Sequence, residues 1–167
     1  AQAPVLGFLG ALDASISGRF VAGLSPAGGL VVLEGELAVA EGALRPSPEA
    51  RPIAFQGARL SFDFDPPAER VRVSTLEVES STLRLKAAGH IDAPGVTGGR
   101  PDAFLAQIAI SEVMVDPEGL FTAPVTFSAG ALDLRMRLDP FRVDVGQFTL
   151  IDEGRRLTSS GTVTADA

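Results

Sequence analysis

The chain contains no cysteine, no tryptophan and no tyrosine, and its only histidine is His90. Without cysteine there are no disulfides and no thiolate metal sites. With a single imidazole a zinc centre has too few soft ligands, so no metal is expected. The aromatic fraction is 6%, all of it phenylalanine, which argues against a sugar-stacking platform or a single-strand nucleic-acid surface. A formal net charge of −7 and a pI near 4.7 oppose contact with a phosphate backbone, so no nucleic-acid partner is expected. No apolar run is long enough to cross a bilayer. The opening Ala1-Gln2-Ala3 carries no charged n-region of a signal peptide. A cysteine-free chain fits a bacterial periplasmic or secreted setting.

What is present is repetition. At 167 residues, 46% hydrophobic and with mean hydropathy +0.25, the chain has the makings of one ordered domain. Pro52-Ile53-Ala54-Phe55 matches Pro124-Val125-Thr126-Phe127, a spacing of 72 that then holds without a gap to the end. Phe55 falls on Phe127, Leu60 on Leu132, Val73 on Val145, Leu85 on Leu157 and Gly89 on Gly161. About ten of some forty positions are identical, the signature of a repeat architecture. One residue out of step, Leu37-Ala38-Val39-Ala40-Glu41 meets Ile108-Ala109-Ile110-Ser111-Glu112. The units expected are residues 30–94 and 102–167, with 1–29 a partial unit or a cap. Such arrays are elongated and act through extended surfaces, which makes a compact enzyme pocket less expected.

The repeated unit is built of strands. Apolar and polar residues alternate through Leu60-Ser61-Phe62-Asp63-Phe64 and Leu132-Asp133-Leu134-Arg135-Met136. A period of two places alternate side chains on one face of a sheet. Asp65-Pro66-Pro67, Asp139-Pro140 and Glu153-Gly154 punctuate the strands. Connections this short favour antiparallel neighbours, so each unit reads as an antiparallel meander. The phase of the alternation slips between Val73 and Leu76, and again between Val145 and Phe148. An extra residue that keeps the apolar side chains on one face is a β-bulge, which bends and twists the strand. The other reading is a turn between two short strands.

Motifs for catalysis are scarce. His90 alternates with Ile91 and so points to the polar side, and the second unit has Thr162 in its place. Asp63, Asp65 and Glu69 could in principle hold calcium, but the aspartates alternate with Phe62 and Phe64 and read as a solvated face. Ser80-Ser81 and Ser159-Ser160 lack a nucleophile-elbow context. Gly28-Gly29 reads as a turn, not a phosphate loop. An enzyme acting on envelope sugars or peptides would need paired carboxylates in a cleft, and none stands out. Neither catalysis nor a cofactor is expected.

The apolar face carries the functional expectation. Its candidate residues are Leu60, Phe62, Phe64, Val71, Val73, Leu76, Val78, Leu83 and Leu85 in the first unit. The second supplies Leu132, Leu134, Met136, Val143, Val145, Phe148, Leu150 and Leu157. Burying each large side chain is worth roughly 1.5–3 kcal/mol, so something must cover this face. Either the sheet packs on a second sheet as a sandwich, or it curls into an open trough whose floor a ligand covers. A short N-terminal helix over Val5–Leu12, weakened by two glycines, could plug one end.

Three stretches then resemble the AsmA-like superfamily of Gram-negative cell-envelope proteins, the YhdP and TamB type. They are Gly35–Leu44, Val71–Ile91, and Phe141–Leu150 followed by Leu157–Val163. Each sets an apolar strand and a polar turn before a strand ending in small-Gly-x-apolar. The likeness runs from about residue 30 onward. It implies a protein anchored in the inner membrane that reaches across the periplasm. It also implies a curved, taco-like β-groove with an apolar interior for phospholipid acyl chains moving between the inner and outer membrane. The likeness transfers no catalytic residue. The sequence holds no anchor helix and stops at the close of a repeat, so a piece of a longer protein is expected. Its sheet edges, cut free, could pair into a dimer. The alternative function is a non-catalytic β-sandwich serving as a spacer or protein-interaction module.

Overall fold

The computed structural model describes residues 12–44, 52–94, 103–116, 122–138 and 141–164. Eleven strands follow one another, and no helix occurs among these residues. They are β1 Leu12–Leu24, β2 Leu30–Leu44, β3 Ile53–Phe55, β4 Gly57–Asp65, β5 Arg70–Glu79, β6 Leu83–Asp92, β7 Ala103–Val115, β8 Val125–Phe127, β9 Ala129–Leu138, β10 Phe141–Asp152 and β11 Arg155–Thr164. All lie in a single open antiparallel sheet in the order β1-β2-β4-β5-β6-β7-β9-β10-β11. The short β3 and β8 pair with the far ends of β2 and β7. The sheet does not close into a barrel.

One correction to the sequence reading concerns its cover. The apolar faces of the two units do not pack on each other as a sandwich. They stand side by side in one layer, because β6 pairs directly with β7 and joins the units edge to edge. The expected helix over Val5–Leu12 lies outside the described residues except for Leu12, which opens β1.

The meander repeats in detail. β2 to β6 and β7 to β11 each run long strand, short strand, strand, bulged strand, strand. The short strand gives way to the next at Gln56 and at Ser128. Their N–H groups donate to the carbonyls of Glu79 (2.7 Å) and Ile151 (3.1 Å), a matched pair of bonds that pins the same kink twice. The phase slips are bulges inside continuous strands. Pairing jumps from Val73 to Leu76 in β5 and from Val145 to Phe148 in β10, and the apolar side chains resume on the same face.

β1 adds what the sequence reading left open for residues 1–29. It pairs with β2 as β6 pairs with β7: Gly18 opposes Leu37 and Gly89 opposes Ile108. Its sequence Ser17-Gly18-Arg19-Phe20-Val21-Ala22 follows Ala88-Gly89-His90-Ile91-Asp92-Ala93 and Ser160-Gly161-Thr162-Val163-Thr164-Ala165 position by position. β1 is therefore a closing strand of the same repeat.

Candidate functional site: the apolar face

The strand registers bring the candidate residues onto one side of the sheet. One row crosses all nine main strands through Gly18, Leu37, Leu60, Leu76, Ala87, Ile110, Gly130, Leu150 and Leu157. A second runs Phe20, Gly35, Phe62, Val73, Gly89, Ile108, Leu132, Phe148 and Ser159. A third runs Ala22, Leu33, Phe64, Val71, Ile91, Ala106, Leu134, Val145 and Gly161. Val78, Leu83, Leu85, Met136 and Val143 extend the same face at its margins. All seventeen candidates share it. Leu33, Leu37, Ile108, Ile110 and Val113, on the long strands β2 and β7, belong to it as well and were missed as candidates. The one-residue slip between Leu37-Ala38-Val39 and Ile108-Ala109-Ile110 already marked Leu37, Ile108 and Ile110 in the sequence.

With strands about 4.8 Å apart and rows about 6.7 Å apart, three rows on nine strands cover about 38 Å by 20 Å. That footprint of about 760 Å² is the area of the floor and not of open apolar surface, since Val73, Ala87, Ala106, Ile110 and Leu150 within it are buried. No large side chain among the described residues is fully buried. The best-covered apolar residues are Val73, Ala87, Ala103, Ala106, Ile110, Val113 and Leu150, and Ala87, Ile110, Val113 and Leu150 form one cluster. Toward the two edges the face opens, with Phe20 57%, Leu157 48% and Val163 60% exposed.

Glycines let side chains two strands apart meet across the floor. Phe20 on β1 and Phe62 on β4 lean together over Gly35, with ring centroids 6.2 Å apart and a tilt of 56°. A Cβ on Gly35 would lie 2.5 Å from the Phe62 ring. Gly130 does the same between Ile110 and Leu150: a Cβ there would stand 2.7 Å from Leu150 Cδ2 and 3.3 Å from Ile110 Cβ. The floor is thus made continuous in the direction across the strands, not only along them.

The opposite face is charged. Arg70 grips Asp92 with both guanidinium arms (2.5 and 3.1 Å). Arg72 meets Asp63 (3.1 Å), Lys86 meets Glu112 (3.0 Å), and Arg142 meets Asp144 (2.8 Å). The arginines beside Asp92 and Asp144 hold those carboxyls below their ordinary range, chiefly through side-chain hydrogen bonds, with Thr162 helping at Asp144; Arg155 lowers Asp152 in the same way, but that pair lies two residues from Leu157 and Leu150, at the margin of the apolar side. Exposed pairs of this kind add little stability. They keep this face wet and leave the other for apolar contact.

Three of the residues weighed for chemistry have neighbours that account for them. His90 lies on the charged face, 3.8 Å from Asp92. Ser80 closes the β5–β6 turn, its Oγ accepting from the N–H of Thr82 (3.2 Å) and Leu83 (2.8 Å). Asp65 caps the β4–β5 turn by accepting from the Ala68 N–H. No three metal-capable side chains gather among the described residues. A depression of about 540 Å³ does exist, walled by Arg59, Glu77, Arg84 and Lys86, but it lies on the charged face and opens broadly to solvent. It holds ionic side chains of both signs and has no enclosed, convergent set of polar groups such as a reaction site needs. No family model, no curated protein and no solved structure matches the chain.

Proposed function

We propose that the apolar face binds phospholipid acyl chains. On this reading the chain is a non-catalytic segment of a periplasmic, AsmA-like protein, anchored in the inner membrane, that conducts phospholipid between the inner and outer membrane. The observation that carries it is three rows of mostly apolar residues, interrupted only by glycines and by Ser159 at the β11 edge, on an open, one-layer sheet. A bilayer's hydrocarbon core is about 30 Å thick, so one acyl chain spans about 15 Å. A floor of about 38 Å by 20 Å receives such a chain in either direction. The direct pairing of β6 with β7 keeps the floor continuous from unit to unit, as a conduit requires, and the charged face on the other side keeps the sheet in water. The envelope setting rests on the sequence resemblance together with the absence of cysteine.

A photo-crosslinking amino acid placed at Phe62 or Leu134 tests this against the same probe at Arg72 or Arg135 on the charged face. Phospholipid is expected to be captured from the first pair alone in a Gram-negative host. Equal capture from both faces, or none from either, overturns the proposal. Phe62→Asp and Leu134→Asp are each expected to reduce lipid recovered with the purified protein, with the strands still formed by circular dichroism.

A further inference from the structure

The free edge of β11 carries a glycine that the described structure does not explain. Gly18, Gly89 and Gly161 occupy equivalent places in the closing strands β1, β6 and β11. At the first two the next strand presses in: a Cβ on Gly18 would stand 3.1 Å from the Glu36 carbonyl oxygen, and one on Gly89 would collide with the Gln107 carbonyl and lie 2.8 Å from Ile108 Cα. Glu36 and Gln107 are themselves equivalent, each one residue before the apolar residue that opposes the glycine. The bulge beside them recurs too, with Ala14 opposing Gly42 as Leu85 opposes Val113. At Gly161 a Cβ would meet nothing within 4 Å. Glycine inside a strand costs roughly 0.5–1 kcal/mol relative to alanine, and among the described residues no contact repays it.

The edge itself is unguarded. Every residue of β11 is exposed. From Leu157 to Thr164 it carries neither a charge nor a proline, the usual devices that blunt an edge strand. β1, at the other edge, carries Asp13 and Arg19.

We infer that the β11 edge is a strand-acceptor site. Its occupant is an extended segment with the alternation of β2 and β7, the opening strand of another unit of this repeat, added antiparallel. An apolar residue sits opposite Gly161, and the carbonyl before it fills the space that a side chain would take. The added strand's apolar side chains prolong the three rows. This inference does not depend on what the apolar face binds.

The chain has no cysteine, so single introduced thiols report register cleanly. By analogy with the pairing of Ala87 and Ile110, Ser159 should face position 110 of an added β7 strand. Directly opposed antiparallel residues have Cα atoms about 4.5–5.5 Å apart, within the span of a disulfide. The probe is a synthetic peptide spanning residues 103–116, and the protein carries Ser159→Cys. The expected result is a mixed disulfide with the Ile110→Cys peptide and its loss with the Ala109→Cys peptide, whose thiol points to the other face. Adding Gly161→Val should abolish capture without lowering the unfolding midpoint of the protein. Equal capture by both peptides, or capture that survives Gly161→Val, overturns the inference. So does a lowered midpoint for Gly161→Val, which would show that the glycine is needed within the chain. So does a disulfide between two copies of the Ser159→Cys protein formed in preference to the one with the peptide.

Discussion

Two leucines in one row of the sheet separate a one-layer fold from a packed core. Leu150 on β10 and Leu157 on β11 oppose each other directly. Leu150 is 4% exposed and belongs to the cluster of Ala87, Ile110 and Val113, flanked by Leu76 and Phe148. Leu157 is 48% exposed. A leucine truncated to alanine in a close-packed site costs about 2–5 kcal/mol, the lost transfer energy plus the cavity left behind. Leu150→Ala should fall in the lower half of that range, about 2–3 kcal/mol, because its surroundings are themselves only one layer thick. Leu157→Ala removes methyl groups that are half in water and leaves no enclosed cavity, so about 1 kcal/mol or less is expected. Urea unfolding of the two variants beside the parent gives both values, provided the slope m stays constant. Equal costs near 3 kcal/mol would refute the reasoning, since Leu157 would then be buried against a second layer.

Further outcomes follow from the floor and the charged face. Gly130→Ala should destabilise the chain by about 1–3 kcal/mol, because its Cβ would stand 2.6 Å from the Thr149 carbonyl oxygen, a backbone atom that cannot step aside cheaply. A melting curve checks this, and an unchanged midpoint would contradict it. Asp92, Asp144 and Asp152 have depressed carboxyl pKa values in the folded state. Their stabilisation is therefore complete above the ordinary carboxylate value of about 3.9 and is lost as pH falls through the lower folded values. The melting temperature should show no loss from these carboxylates between neutrality and about pH 4, then decline below it, with a smaller acid decline in Asp144→Asn. If Asp144→Asn declines as steeply as the parent, the Arg142 and Thr162 contacts do not carry this effect.

Much of the architecture is legible in the residues because a strand's side-chain period is local. Leu60-Ser61-Phe62-Asp63-Phe64 announces both its conformation and its face, and the phase slip between Val73 and Leu76 announces the bulge. Other features are set by partners distant in sequence. β3 and β8 are three residues each, too short to alternate convincingly, and they exist because the ends of β2 and β7 offer them an edge. β1 is obscured by Ser15, Ser17 and Gly18, and only its match to Gly89 and Gly161 reveals it. The question of sandwich or single layer was closed to sequence for a physical reason. The alternation that lines an apolar face is the same whether a second sheet or a ligand covers it. The meeting of Phe20 and Phe62 over Gly35 depends on a register spanning three strands, and no short window of sequence contains it.

The central claim is that acyl chains cover the apolar face. Its most direct test is solvent extraction and mass spectrometry of the protein purified from a periplasmic preparation without detergent, beside the Leu134→Asp variant. Phospholipid is expected in near-stoichiometric amounts with the parent and is expected to be lost from the variant. A lipid-free, monomeric and fully folded parent would contradict it.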